Sequence, residues 1–184
     1  MRLRTLIASI AVLTSFVAAA WAHRLDEYLQ ATRFALSPDQ IVLEMDLTPG
    51  VDVAPLIFFS ISTNHDGQIS DAEARAYVNR VLNEIVLELD GRRQHLEPVR
   101  SQFPSLQEMR DGTGAIRIEA RSAWACAPGP HLVFFRNNHQ PDRAAYLVNA
   151  LVPKSRSIEI TGQRRDPLQR EMRLGFNLIK LAGS

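Results

Sequence analysis

Apolar and polar residues alternate along several short stretches of the chain. Between residues 41 and 47 every odd-numbered position is apolar, and the even-numbered positions include two acids. The same two-residue period recurs over 116–121, around 158–160 and over 173–178. Because successive side chains of a strand point to opposite faces of its sheet, this period predicts strands with one buried and one solvated face. Polar outer faces of this kind are typical of antiparallel sheets.

Turn-forming residues separate these stretches. The strongest turn is Asp90-Gly91, which follows the apolar run 85–89 and precedes a predicted strand at 94–99, as in a tight hairpin. Further turns are predicted at 37–40, 111–114 and 127–130. Seven or more short strands with such punctuation predict a mainly β fold, an antiparallel β-sandwich of the immunoglobulin-like kind.

One region departs from the alternation. From Asp71 onwards, apolar residues recur every three or four positions, which predicts one face of an amphipathic helix. They are Ala74, Tyr77, Val78, Val81, Leu82 and Ile85. The segment 53–61 before it predicts a short helix with Asp52 as its cap. We therefore expect a helix, a loop and a second helix over about 50–85, inserted between two strands of the sandwich.

The loop between these predicted helices, residues 62–73, carries the most specific chemistry in the chain. Oxygen-bearing side chains fall at its first, third, fifth, ninth and twelfth positions, with a glycine at the sixth and an aliphatic residue at the eighth. Calcium prefers roughly six to eight oxygen ligands, and a sharp turn at Gly67 lets them converge. Ile69 is expected to point into the core. The predicted calcium ligands are Ser62, Asn64, Asp66, Gln68 through its backbone carbonyl, Ser70 and Glu73.

This loop resembles the calcium-binding loop of the EF-hand family, and the resemblance covers about 52–85. It implies calcium binding through the six positions above, with His65 and Asp71 facing solvent. The chain departs from the family twice: Ser62 stands where the family has aspartate, and no second loop is present, although EF-hands usually pair. Both departures predict weak binding, on the order of 10⁻⁴ to 10⁻³ M or weaker.

A second interpretation of the loop needs no metal. Ser70 and Glu73 have the spacing of a capping box, in which each residue's side chain binds the other's backbone at the start of a helix. Asn64, Asp66 and Gly67 are ordinary turn residues. The sequence leaves both interpretations open.

The first 22 residues have the layout of a signal peptide. A basic start is followed by an apolar run over 6–21 and by the small-residue triplet Ala20-Trp21-Ala22. An uncleaved membrane anchor is the alternative, but the run is short against the roughly 20 residues that a spanning helix needs. We expect a signal peptide over 1–22 and a single β-sandwich domain over 23–184, periplasmic or secreted.

Charge gives no case for nucleic acid as a partner. The chain has 21 basic and 20 acidic residues, and removal of 1–22 takes away two arginines and no acid, so 19 bases face 20 acids. A net charge of about −1 also gives no electrostatic attraction to anionic lipid.

His23 would become the first residue after cleavage. Its amine and imidazole together suit copper(II), with a further nitrogen from His95, His131 or His139. A frayed terminal residue is the alternative.

A second resemblance suggests an alternative function. The segments 24–31, 46–50 and 146–153 are similar to exported domains that precede nickel/cobalt-type permease segments in some bacteria. This resemblance implies a periplasmic metal-handling or adaptor domain, for copper, nickel or cobalt, serving a membrane permease. Transport itself is not implied.

The remaining chemistry favours a protein that is not an enzyme. The sequence has no nucleophile elbow, zinc-protease helix or phosphate-binding loop. Cys126, the single cysteine, is expected to be a buried small hydrophobe, with pairing to another chain as the alternative. Arg164 and Arg165 are expected in a solvated turn.

Overall fold

The computed structural model describes residues 25–179, so the predicted signal peptide and His23 lie outside the described residues. Within this range the chain is mainly β, with two five-stranded sheets and three short helices. The strands are β1 (Tyr28–Leu36), β2 (Gln40–Pro49), β3 (Ile85–Leu89), β4 (Arg92–Arg93), β5 (Glu97–Gln102), β6 (Ile116–Ala123), β7 (Gly129–Asn137), β8 (Ala144–Ala150), β9 (Ile158–Arg165) and β10 (Glu171–Leu178). The helices are α1 (Ala54–Ile61), α2 (Asp71–Glu84) and α3 (Leu106–Arg110).

The two sheets pack in a sandwich-like arrangement around a shared core. The first has the order β5-β6-β2-β1-β8 and the second the order β4-β3-β7-β10-β9. The alternating apolar residues of the strands point inwards, and Phe34 of β1 meets Phe135 of β7 edge to face across the core, with 4.9 Å between ring centroids. The prediction of a mainly β, two-layered chain is confirmed.

The first sheet is mixed, so the prediction of a purely antiparallel sandwich is wrong. β1 pairs with β8 in parallel, from Tyr28 opposite Ala144 to Phe34 opposite Ala150. β8 follows β7 of the other sheet and enters the first sheet at the end where β1 begins, and the N–H of Tyr28 binds the carbonyl of Arg143 there. Alternation reports which face a side chain occupies and not the direction of the neighbouring strand.

The predicted hairpin at Asp90-Gly91 forms, with a shorter second strand than expected. Both turn residues have positive φ, 51° and 77°, as a tight hairpin turn requires. However, β4 contains only two residues, and the chain then crosses to the first sheet, where β5 pairs with β6. The strand predicted at 94–99 therefore does not continue along β3. Leu96, within this segment, is buried in the core.

The two predicted helices form, and the structure differs from the prediction at the start of α1 and in a third helix. α2 begins after Ser70 as predicted, whereas α1 is preceded by Val53 with no side-chain cap, so the assignment of Asp52 as cap is wrong. The N–H of Asp52 instead binds the carbonyl of Leu25. α3 was not predicted. Across residues 25–179, no helix has the length and apolar character needed to cross a bilayer.

Candidate metal centre

The loop 62–73 joins α1 to α2 and is anchored to the core near both ends. Ile61 and Ser62 are buried, and Ile69 packs partly buried against the core, as its aliphatic character predicts. The residues between Thr63 and Gln68 are exposed. The loop therefore presents its polar middle to solvent from fixed ends.

The carboxylate of Glu73 links the beginning of the loop to its end. Its Oε1 accepts hydrogen bonds from the N–H of Thr63 (2.7 Å), the hydroxyl of Thr63 (3.0 Å) and the N–H of Asn64 (3.3 Å). Its Oε2 accepts from the N–H (3.0 Å) and hydroxyl (2.8 Å) of Ser70. The last predicted ligand thus lies against the first residues of the loop.

Hydrogen bonds from side chains to residues two positions away order the first half of the loop. Asn64 Oδ1 accepts from the N–H of Asp66 (3.1 Å), and Asp66 Oδ1 accepts from the N–H of Gln68 (2.8 Å). The hydroxyl of Ser62 donates to Asn64 Oδ1 (3.4 Å), and Asn64 Nδ2 donates to Asp66 Oδ2 (2.9 Å). Turns of this kind are typical of Asn and Asp. They bring together the side chains of the first, third and fifth loop positions.

The backbone bends sharply in the middle of the loop. Gly67 has φ +82°, the left-handed conformation that the sequence predicted for it. His65 also has positive φ, +58°, which the sequence did not indicate. His65 and Asp71 are exposed, in agreement with the expectation that they face solvent.

Hydrogen bonds keep the Glu73 carboxylate charged. The backbone N–H of Ser70 has the largest effect, followed by the Ser70 hydroxyl, and together with Asn64 and Thr63 they lower the pKa of Glu73 to about 2. Bonds donated to a carboxylate favour its ionised form. At neutral pH the loop therefore holds an anionic oxygen pair at its closing position.

The residues of the loop fit a weak oxygen site for calcium. Their donors are neutral oxygens and two carboxylates, Asp66 and Glu73, a hard set that suits calcium better than copper or zinc. A carboxylate offers about four lone-pair positions, and Glu73 already accepts five bonds within the loop. A bound cation would compete with Thr63 and Asn64 for Oε1. Across residues 25–179, the loop included, no group of three or more His, Cys, Asp and Glu side chains is placed to hold a metal.

The capping interactions that need no metal are also present. Ser70 accepts from the N–H of Glu73, and Glu73 accepts from the N–H of Ser70. α3 begins with the same box, formed by Ser105 and Glu108, but without a polar loop before it. This second box offers a control that separates capping from cation binding.

A buried polar network lies at the other end of α2, and the sequence patterns did not reveal it. His139 Nδ1 lies 2.5 Å from a carboxylate oxygen of Glu84, and its Nε2 lies 3.0 Å from the hydroxyl of Tyr77. That hydroxyl lies 2.6 Å from the hydroxyl of Tyr28. Tyr28, Tyr77 and His139 are all at most 2 % exposed.

Three further side chains fix the backbone of His139. Gln30 and Tyr146 both donate to its carbonyl, at 3.0 and 2.9 Å, and its N–H donates to Asn137. Burial is the main cause that lowers the pKa of His139. A neutral His139 donates from Nδ1 to Glu84 and accepts at Nε2 from Tyr77.

The histidines proposed as copper ligands have different surroundings. Both ring nitrogens of His131 contact acceptors, Asp90 Oδ2 and the carbonyl of Ala127, each at 2.7 Å. Both nitrogens of His139 are engaged in the buried network, and His95 is exposed. Copper binding at His131 or His139 would therefore break existing hydrogen bonds.

Cys126 is less buried than the sequence suggested. It is a free thiol of intermediate exposure that packs against the core. Burial raises the pKa of the thiol, and the nearby charge of Asp90 adds to this effect.

Comparison with known proteins gives no relative. No protein family model, curated protein or solved structure matches the chain.

Proposed function

We propose that this chain is an exported calcium-binding protein with one weak, structural site at 62–73. In this proposal α1, the loop and α2 form a degenerate EF-hand inserted in an immunoglobulin-like sandwich. The observation that carries the proposal is the position of Glu73, whose carboxylate reaches back to Thr63 and Asn64. The closing ligand of a twelve-residue calcium loop must reach its first residues in this way.

The contacts favour a weak site that orders the loop. Only Asp66 and Glu73 bring negative charge, and a cation must compete with the N–H groups that Glu73 already binds. Ser62 offers one neutral oxygen from a buried position. An ion that binds only the folded loop stabilises the fold by mass action, so the expected effect is a concentration-dependent gain in stability.

The buried network does not favour an enzymatic function. A carboxylate, an imidazole and a hydroxyl in contact are also found in catalytic sites. Here Tyr28, Tyr77 and His139 are at most 2 % exposed, so a substrate could not reach their polar atoms without unfolding the surrounding strands. We assign the network to the stability of the fold.

Thermal unfolding with calcium, magnesium or chelator tests the proposal. We expect calcium at millimolar concentration to raise the melting temperature of the wild type, and Glu73→Gln and Asp66→Ala to remove this increase. Glu73→Gln keeps a residue that can cap α2, so the loss reports on the cation site.

The matched control is Glu108→Gln, which alters the same kind of capping box at α3. It is expected to lower the melting temperature without changing the calcium response. An increase that persists in both loop variants, or no increase in the wild type, would show that the loop is not a calcium site.

A further inference from the structure

The outer face of the second sheet carries an unusual row of side chains. Strand register places Glu88 of β3, Phe134 of β7, Arg173 of β10 and Arg164 of β9 side by side. The guanidinium of Arg173 lies 5.2 Å from the centre of the Phe134 ring. Arg164 does not lie in a turn, as its sequence context suggested, but on the edge strand β9.

The two arginines of this row are adjacent and lack acidic partners. Among residues 25–179, neither Arg164 nor Arg173 forms an ion pair. Their near neighbour Arg136 does, since its Nε lies 2.6 Å from Glu171, although that N–H is not aimed for a hydrogen bond. Like charges directly opposite each other on a sheet destabilise it. Arg164 and Arg173 thus place two like charges side by side at a cost to the fold, with Glu88 at the far end of the row.

The first sheet shows the opposite arrangement. On its outer face Arg33 contacts Glu44 and Asp46, Arg117 contacts Asp46, and each remaining basic residue of the face has its own acid. These remaining pairs are Arg100 with Glu119 and Arg121 with Glu97. Within residues 25–179 other basic side chains, such as Arg75 and Arg143, also form no ion pair, so the contrast is one between the outer faces of the two sheets.

Next to the two arginines the sheet is partly apolar. Gly175 of β10 lies opposite Gly162 of β9, just before a bulge between these strands; the surface over Gly162 is open, whereas the hydroxyl of Thr161 lies beside Gly175. Leu132 of β7, opposite Gly175, is 41 % exposed. An extended ligand could lie on this surface with apolar side chains on Leu132 and Phe134.

We propose that this face, defined by Leu132, Phe134, Gly162, Arg164, Arg173 and Gly175, binds an acidic, partly apolar polypeptide segment in an extended conformation. Guanidinium groups match carboxylates in planar, two-point contacts. A peptide fits better than nucleic acid or an anionic membrane, because two arginines on a nearly neutral protein are too few for a highly charged surface. The proposal is independent of calcium binding.

Fluorescence anisotropy with labelled copolymers of glutamate and tyrosine tests the surface, in chelator so that the calcium loop has no part. We expect binding that weakens with salt, because exposed charges are screened. The double variant Arg164→Gln/Arg173→Gln is expected to bind about fivefold more weakly, the size of two exposed charge contacts.

The matched control removes two arginines from the other sheet, Arg117→Gln/Arg121→Gln, and is expected to leave binding unchanged. Amide shifts in a titration of labelled protein should cluster at Leu132, Phe134 and Gly175. The proposal is overturned if the wild type does not bind the copolymer, if the two double variants lose binding equally, or if duplex DNA or anionic vesicles bind more tightly than the peptide.

Discussion

The carboxylate of Glu73 accepts a 2.7 Å hydrogen bond from the backbone N–H of Thr63, ten residues earlier in the chain. The same side chain caps α2 through Ser70. One acidic group therefore both begins a helix and closes the loop before it. Any cation that binds this loop changes both roles together.

The pH dependence of stability should report on this double role. The pKa of Glu73 is lowered from 4.5 to about 2, so its contribution to stability is complete above 4.5 and is lost as pH falls towards 2. In chelator, we expect the melting temperature of the wild type to fall more steeply over this range than that of Glu73→Gln.

Glu108 provides the comparison with Glu73. Hydrogen bonds from Ser105 also lower the pKa of Glu108, but the Glu108 carboxylate accepts fewer bonds than that of Glu73. Glu108→Gln should reduce the fall in melting temperature at acid pH less than Glu73→Gln does. An equal effect of Glu73→Gln and Glu108→Gln on the acid-induced fall in melting temperature would show that the contacts of Glu73 with Thr63 and Asn64 do not form in solution.

Replacing the buried serine of the loop separates cation binding from stability. Ser62→Asp adds a third carboxylate beside Asn64, at a position that is 0 % exposed. Without calcium the uncompensated buried charge should cost about 3–5 kcal/mol, and with calcium the affinity should rise about tenfold or more. Calorimetry and urea unfolding measure the two effects. Ser60→Asp, two residues earlier near the end of α1, should give neither result. An unchanged affinity in Ser62→Asp would contradict the ligand assignment.

The sequence predicted the elements better than their partners. Alternation located most strands, and the switch to a helical period located α2, because both reflect the faces of local structure. The alternation did not predict the parallel pairing of β1 with β8, because the pattern of a strand is the same whichever direction its neighbour runs. The short helix α3 had a detectable feature, the capping box of Ser105 and Glu108.

The candidate site and the buried network differ in how far apart their residues lie in the sequence. The loop lies within twelve consecutive residues, so its spacing is visible in the sequence. The network joins Tyr28 to Tyr77 and Tyr77 to His139, separated by 49 and 62 residues. Only the packing of β1, α2 and the β7–β8 connection brings these groups together. A period-two pattern marks Tyr28 as inward-facing but gives no information about its partner.

Removing a single hydroxyl from the network should be costly. The hydroxyl of Tyr77 forms hydrogen bonds with both Tyr28 and His139, whereas the hydroxyl of Tyr28 forms its bond with Tyr77. Tyr77→Phe removes the partner of the Tyr28 hydroxyl and leaves His139 Nε2 only the longer, 3.4 Å contact with Gln140. It should cost about 2–4 kcal/mol, against about 1–2 kcal/mol for Tyr28→Phe. Urea unfolding of both variants measures the difference. A smaller loss for Tyr77→Phe than for Tyr28→Phe would contradict the central position of Tyr77.

His131 should stabilise the fold in its charged form. Its two ring nitrogens face a carbonyl and a carboxylate, so both carry a proton, and the bond to Ala127 followed by that to Asp90 raises its pKa above 6.5. The stability that a histidine with a raised pKa contributes is complete below pH 6.5 and is lost as the pH rises through its folded-state pKa. The other titratable groups near this contact are Arg92 and Cys126.

Tryptophan fluorescence can follow this titration. The His131 ring lies 5.3 Å from Phe176, which stacks on Trp124 at 5.6 Å, and Trp124 is the only tryptophan after the predicted leader. We expect a fluorescence midpoint above 6.5 in the wild type, a lower midpoint in Asp90→Asn and no transition in His131→Gln. His65→Gln, at an exposed histidine, should leave the curve unchanged. A wild-type midpoint at or below 6.5 would show that His131 is not held between two acceptors, because hydrogen bonds to the imidazolium favour its charged form.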